Sequence, residues 1–365
     1  MKLSKVAVGR DNNFNLIRIV AALAVLVTHS FALAIGTDDA EPFQESLGMT
    51  LGSIAVDVFF ITSGFLVTAS LSKRKSSRDF IIARVLRIYP ALSVVVFLTV
   101  FGIGVVFTSL PFKDYLLAYG TYFYLIKCMT LIFGVAFNLP GVFETNPFEN
   151  SVNGSLWTLP YEVRMYSILL LSWIALGAVK NYRVKAFKLV IVASACAAGM
   201  LVLVAHFFIP LQGEFTKLFF MFFSGAAFYV LKDRLVLDRR VFWLFSAMLV
   251  LAAFAGKHLF FIAYNMTITY IIIYIAYVPS GLVRKYNRVG DYSYGVYIYA
   301  FPVQQTTVAL VPDVSVLTLL SISASITMIM AIVSWHLLEK RAIRLKTSLR
   351  SQLTESPECP SLRNQ

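Results

Sequence analysis

The sequence predicts an all-α fold: a polytopic membrane helix bundle of about ten transmembrane helices plus a re-entrant segment, with N- and C-termini cytoplasmic. Three observations carry this expectation. Of the 365 residues, 58% are hydrophobic and 14% charged, against about 45–50% and about 25% in soluble domains. The apolar residues gather in blocks near the ~20 residues that match a hydrocarbon core about 30 Å thick. The basic residues fall between those blocks in an alternating pattern. Such a composition excludes a disordered chain, a coiled coil and a disulfide-stapled secreted module.

Ten blocks read as spans: 19–35, 53–71, 88–108, 155–179, 189–209, 217–231, 241–256, 259–279, 290–310 and 316–337. An eleventh, 115–137, is decided by charge. If it dips in and returns on the same side, 27 of the 32 Lys and Arg lie on cytoplasmic segments, leaving only Lys113, Lys127, Arg164, Lys217 and Lys257. A full crossing would move every later basic loop across the membrane and destroy that bias. The formal charge of +13 is therefore a mark of orientation and not of nucleic-acid binding. Residues 1–350 read as one transmembrane domain, and 351–365, rich in Ser, Pro, Glu, Asn and Gln, as a short disordered cytoplasmic tail. Cys128, Cys196 and Cys359 have neither metal nor redox spacing, so no metal is expected. Nothing in the sequence speaks to oligomeric state.

Ionisable residues inside spans are costly and mark function by default. Arg18 and His29 are eleven residues apart, almost three helical turns, so they share one face about 16 Å apart along the axis. Asp57 comes at nearly the depth of His29 on the next span, where a carboxylate could fix the imidazole tautomer and support its basicity. Arg84 and Arg87, spaced i,i+3, share a face at the cytoplasmic mouth of the third span; Arg suits bidentate phosphate binding. Glu162, in Ser155-Leu-Trp-Thr-Leu-Pro-Tyr-Glu162, does not share a helix face with Arg164 and needs another partner. Ser63 and Gly64 read as a close helix contact rather than as chemistry.

These elements, in this order, resemble the acyltransferase-3 family of bacterial membrane acyltransferases. The likeness runs from about Asn15 to Leu345. It rests on Arg18 to His29 as Arg-x10-His, Asp57 to Phe65 as Asp-x-Phe-Phe-x-x-Ser-Gly-Phe, Arg84 and Arg87 as Arg-x-x-Arg, and Ser155 to Glu162. Asp291-Tyr-Ser-Tyr-Gly-Val-Tyr297 and Glu339-Lys340 look like the family's late elements. Two positions depart: Ala300 stands where many members have His, and Arg341 where Pro is usual. The chain looks like the stand-alone polysaccharide O-acetyltransferase type, in a bacterial cytoplasmic (inner) membrane.

The resemblance implies acyl-CoA, usually acetyl-CoA, as donor substrate with no bound cofactor, and a hydroxyl of a lipid-linked or surface glycan, such as O-antigen or exopolysaccharide, as acceptor. Arg18, Arg84 and Arg87 would hold the CoA phosphates. His29, oriented by Asp57, would act as general base or transient acyl acceptor, and Glu162 would position the acceptor. Apart from the resemblance, composition and topology fit equally a proton-coupled transporter or flippase of a glycan or lipid precursor, with His, Asp and Glu along its path.

Overall fold

A computed structural model describes residues 1–9, 11–73, 76–149, 151–178, 182–208 and 213–345. The expected tail 351–365 lies outside the described residues. Those residues form an all-helical bundle whose only extended pairings are two isolated bridges, Lys2 with Val236 and Thr108 with Val142.

The main helices, in chain order, are α1 (Phe14–Ile35), α2 (Leu51–Ser72), α3 (Ser77–Phe107), α4 (Tyr119–Thr130) and α5 (Leu159–Ala175). They continue with α6 (Arg183–Phe208), α7 (Glu214–Val230), α8 (Arg239–Ala255), α9 (Lys257–Tyr277), α10 (Ser293–Leu310) and α11 (Val316–Leu345). Six of these, α1, α2, α3, α6, α9 and α11, are long and apolar enough to cross a membrane. The other large helices, α5, α7, α8 and α10, have 17 or 18 residues. Burial separates centre from periphery. In α2 and α9, 72% and 78% of the apolar window is buried, against 22% in α6 and α11. The outer helices thus carry apolar residues on faces that no protein covers, as lipid-facing helices do.

The 115–137 block forms no helix able to cross. It breaks into Phe112–Leu117 and the 12-residue α4, which ends at Leu131 in the left-handed conformation (φ 56°). Twelve residues rise only about 18 Å. The segment that enters the bundle follows it: Glu144, Thr145, Pro147 and Glu149 are still exposed, and 151–158, expected outside or at the start of a span, goes inside. Val152, Asn153, Ser155 and Leu156 are fully buried there.

Irregular backbone at that depth needs protein partners, and α10 provides them. Asn146 Nδ2 donates to the Gln305 carbonyl (3.0 Å) and to Gln305 Oε1 (2.7 Å). Gln305 Nε2 donates back to the carbonyls of Phe148 (2.9 Å) and Ser151 (2.7 Å). Lower down, Asn153 Nδ2 donates to the Ile298 carbonyl (3.0 Å), and the Thr158 and Tyr297 hydroxyls pair at 2.7 Å. As numbers rise along the segment they fall along α10, so the two run antiparallel. The helical backbone begins with a 3-10 turn at Gly154–Thr158, close to the expected start at 155, and continues as α5 from Leu159; what differs is that this start is buried within the bundle.

The closest helix crossing joins α2 to α7. A Cβ added at Gly64 would overlap the Phe222 carbonyl, and one at Gly225 would overlap the Ile61 carbonyl. The two glycines let the backbones touch, as small residues do between membrane helices. Gly64→Ala and Gly225→Ala should each cost at least about 1–3 kcal/mol, seen as a lower melting temperature in detergent. Gly102→Ala, whose Cβ would meet nothing within 4 Å, should leave the melt unchanged.

Candidate functional site

At the basic end of the bundle, α1, α3 and α5 bring Arg18, Arg84, Arg87 and Glu162 around one cavity of about 180 Å³, with Ser63, Tyr166 and Tyr294. The three guanidinium groups differ in their partners. Arg87 donates from Nη2 to Asp291 Oδ2 at 2.6 Å and from Nη1 to Glu339 Oε2 at 3.2 Å. Arg18 Nη1 lies 3.7 Å from the same Asp291 oxygen. Arg84 has no carboxylate partner among the described residues. It lies over the rings of Phe80 and Tyr166 (6.0 and 5.6 Å), and its buried Nε is unpartnered.

Asp291 and Glu339 therefore fasten Arg87 between α3, the start of α10 and a π-helical turn of α11 at Trp335–Glu339. Sequence reasoning singled out both acids only as late elements of a resemblance, without this task. The signal that could have found them is charge: a basic pair inside a span needs acids from elsewhere in the chain.

Glu162 faces the same cavity. Its Oε1 accepts from Ser63 Oγ (3.3 Å) and from the Tyr166 hydroxyl. Glu162, expected to position the acceptor, lines the cavities of Arg18 and not the vestibule of His29. Because 151–158 enters the bundle before α5 begins, Glu162 stands with the arginines. Ser63 links α2 to α5 through this hydrogen bond, while Gly64 serves the backbone contact with α7.

Above this cavity is a neck of about 30 Å³, lined again by Arg18, Ser63, Glu162 and Tyr294 and closed by Phe59, Phe60 and Tyr297. Beyond the neck is a vestibule of about 710 Å³ that includes His29, Gly154, Trp157, Glu214 and Phe301. Trp157 lines the vestibule and Thr158 the neck, so the descending segment forms a wall of both. Arg18 and His29, on one face of α1, thus line separate cavities, which approach each other where Thr158 of the neck adjoins Trp157 of the vestibule.

His29 is half-buried with its ring edge-on to Phe301, centroids 5.1 Å apart. Its buried Nδ1 has no hydrogen-bond partner. At the vestibule rim, burial pushes the Glu41 carboxyl up, a hydrogen bond with Thr50 opposes that rise, and the Asp38 charge adds to it. Ala300, at the departure from the family pattern, is buried with Ile19, Ala22, Leu26 and Val296 between α1 and α10. A small apolar side chain fills that contact, and the next residue, Phe301, reaches His29.

Asp57 does not orient His29, and that expectation is corrected. Equal depth on neighbouring helices leaves the direction around the axis open, and Asp57 turns toward α7 and α9. There its Oδ2 pairs with Lys217 Nζ at 3.2 Å and accepts from the Tyr264 hydroxyl at 3.0 Å. Lys217 is one of the few basic residues that the orientation pattern left over, which was the available signal. Breaking a buried pair leaves one charge uncompensated, at about 3–5 kcal/mol. Lys217→Met should cost that much, and Asp57→Asn added to it should recover at least half. Thermal melts of the single and double variants check this; simple additivity would show that the pair does not act as a unit.

The family profile described as an acyltransferase domain matches residues 11–338. The chain is 30% identical over 348 residues to a protein named O-acetyl transferase from Shigella phage Sf6, covering 91% of this chain and 96% of that one. It is 29% identical over 375 residues to Nodulation protein 10 of Rhizobium leguminosarum bv. viciae, covering 93% and 95%. No solved structure matches. The transporter alternative gives way to an enzyme. With membrane-crossing helices and a profile match along nearly its whole length, the chain belongs to the acyltransferase-3 family and is a membrane acyltransferase.

Proposed function

We propose that the protein is a multi-pass enzyme of the bacterial cytoplasmic membrane that moves an acyl group, acetyl by preference, from cytoplasmic acyl-CoA to a hydroxyl of a cell-surface glycan such as O-antigen or exopolysaccharide. In this reading the bundle has ten spans, both termini are cytoplasmic, and the arginine end faces the cytoplasm. The observation that carries it is the order of cavities along α1: a guanidinium cluster around one, a neck that shares Arg18 with it, and an unpartnered imidazole nitrogen at a third.

The donor is polyanionic at its nucleotide and thin along its pantetheine arm. Arg84, free of carboxylates, and Arg18, only loosely held by Asp291, are the groups suited to its phosphates. Arg87 is engaged at both ends and acts as a brace for the other two. The arm, extended through the neck, spans a length comparable to the ~16 Å between Arg18 and His29. Its thioester then arrives beside His29. There the acceptor oxygen bonds to the acyl carbon as its proton passes to the imidazole. The carbon–sulfur bond breaks, and the proton leaves with the CoA thiol. The name of the phage relative supports an O-linked acetyl group.

His29→Ala is expected to lower esterification of the surface glycan about 10²–10⁴-fold at unchanged protein level, read by NMR of the isolated glycan; full esterification would remove His29 from the chemistry. Arg84→Ala should raise the half-saturating acyl-CoA concentration at least about tenfold, whereas Arg87→Ala should mainly reduce the yield of folded protein. For the topology, a reporter fused after Lys188 should read cytoplasmic, and a periplasmic signal would overturn the ten-span arrangement.

A further inference from the structure

The vestibule beside His29 has a one-sided charge. Asp38 and Glu41 come from the loop after α1, Glu149 from the descending segment and Glu214 from the first turn of α7. Besides these four carboxylates the described lining holds His29 and no Lys or Arg. Lys217, one turn after Glu214, is paired with Asp57 and does not offset them. The carboxylates of Asp38, Glu149 and Glu214 are exposed, and that of Glu41 is half-buried. Trp157 and Phe301 supply ring surfaces within the same cavity, of the kind that pack against the apolar faces of sugars.

A cleft walled by low-dielectric protein and ringed by one sign of charge focuses a potential of several kT. Like charge brought into it is disfavoured, and the effect fades with salt. The lining of the arginine cavity differs: three guanidinium groups face one carboxylate, Glu162, while Asp291 and Glu339 are engaged with Arg87. The vestibule is thus the acidic one of the two cavities.

We infer that the vestibule selects acceptor sugars that are neutral or carry an amine, and turns away sugars bearing a carboxylate, sulfate or phosphate. This rests on the reading of His29 as the site of acyl transfer. The carboxylates provide the exclusion, the rings provide the binding surface, and His29 needs only an uncharged hydroxyl brought to it.

The test begins with the full-length protein in nanodiscs, with Cys128, Cys196 and Cys359 replaced by Ser and Asn138→Cys as a reporter on the vestibule wall. Matched cationic and anionic methanethiosulfonate reagents are compared, each rate divided by its rate with free cysteine. The cationic reagent should be favoured at least about tenfold. The bias should fall below about threefold in Glu41→Gln/Glu149→Gln/Glu214→Gln, and also in 1 M salt, where screening reaches about 3 Å. Equal corrected rates, or a bias that survives the triple variant, would overturn the proposal.

A second arm reads the ester position on the native surface glycan by NMR. An ester on a neutral or amino sugar supports selection; one on a residue bearing a carboxylate, sulfate or phosphate overturns it. The two readings fail separately. Loss of the thiol bias removes the selection and leaves acyl transfer standing. A retained bias with no acyl-CoA-dependent ester removes the reaction and leaves the electrostatic claim about the vestibule.

Discussion

Between Ser151 and Thr158 the chain enters the interior of the bundle before α5 begins, first as irregular backbone and then as a 3-10 turn over Gly154–Thr158, and the rest of the site depends on how its polar groups are met. Unpaired amides and carbonyls at that depth cost several kcal/mol each. Gln305 answers by donating to the carbonyls of Phe148 and Ser151, while Asn146 and Asn153 tie the segment to α10 by donating to the carbonyls of Gln305 and Ile298. A helix in the same place would fill the bundle from end to end. A descending loop followed by a short α5 leaves room instead, and the neck and vestibule occupy it.

Charge within the bundle follows the same rule with a different outcome at each position. Asp57 with Lys217, and Arg87 with Asp291 and Glu339, are pairs that tie three elements apiece. Their main effect is to fix where helices stand relative to one another. Arg18, Arg84 and His29 differ, each with a buried nitrogen lacking a partner, and each lines a cavity. Polar groups left unmatched in an otherwise well-matched interior are where a ligand has something to do.

Much of this was legible beforehand in part. Arg18 and His29 lie on one helix face because eleven residues nearly close three turns, and no tertiary information is needed for that. Gly64 could be read as a contact because a residue without a side chain inside a span has little other use. The surroundings of Asp57 and Glu162 are not legible in the sequence, for a common reason. Depth in a membrane follows from position along the chain, but direction around a helix axis and the starting height of α5 depend on what packs beside them. Asp57 faces Lys217 because α7 approaches closely at Gly225, and Glu162 lies low because of a loop with no hydropathy signal of its own.

The sequence alone determined an apolar helical chain, the segments able to cross a membrane, and an ordered set of charged motifs, since these depend on composition, periodicity and spacing along one helix. Only the tertiary structure decided which charges neutralise each other and which stay available, because that depends on contacts between elements more than 200 residues apart, such as Arg87 with Asp291 and Glu339. Residues close in sequence share a helix face by geometry. Residues distant in sequence share a site only because the bundle packs in one way.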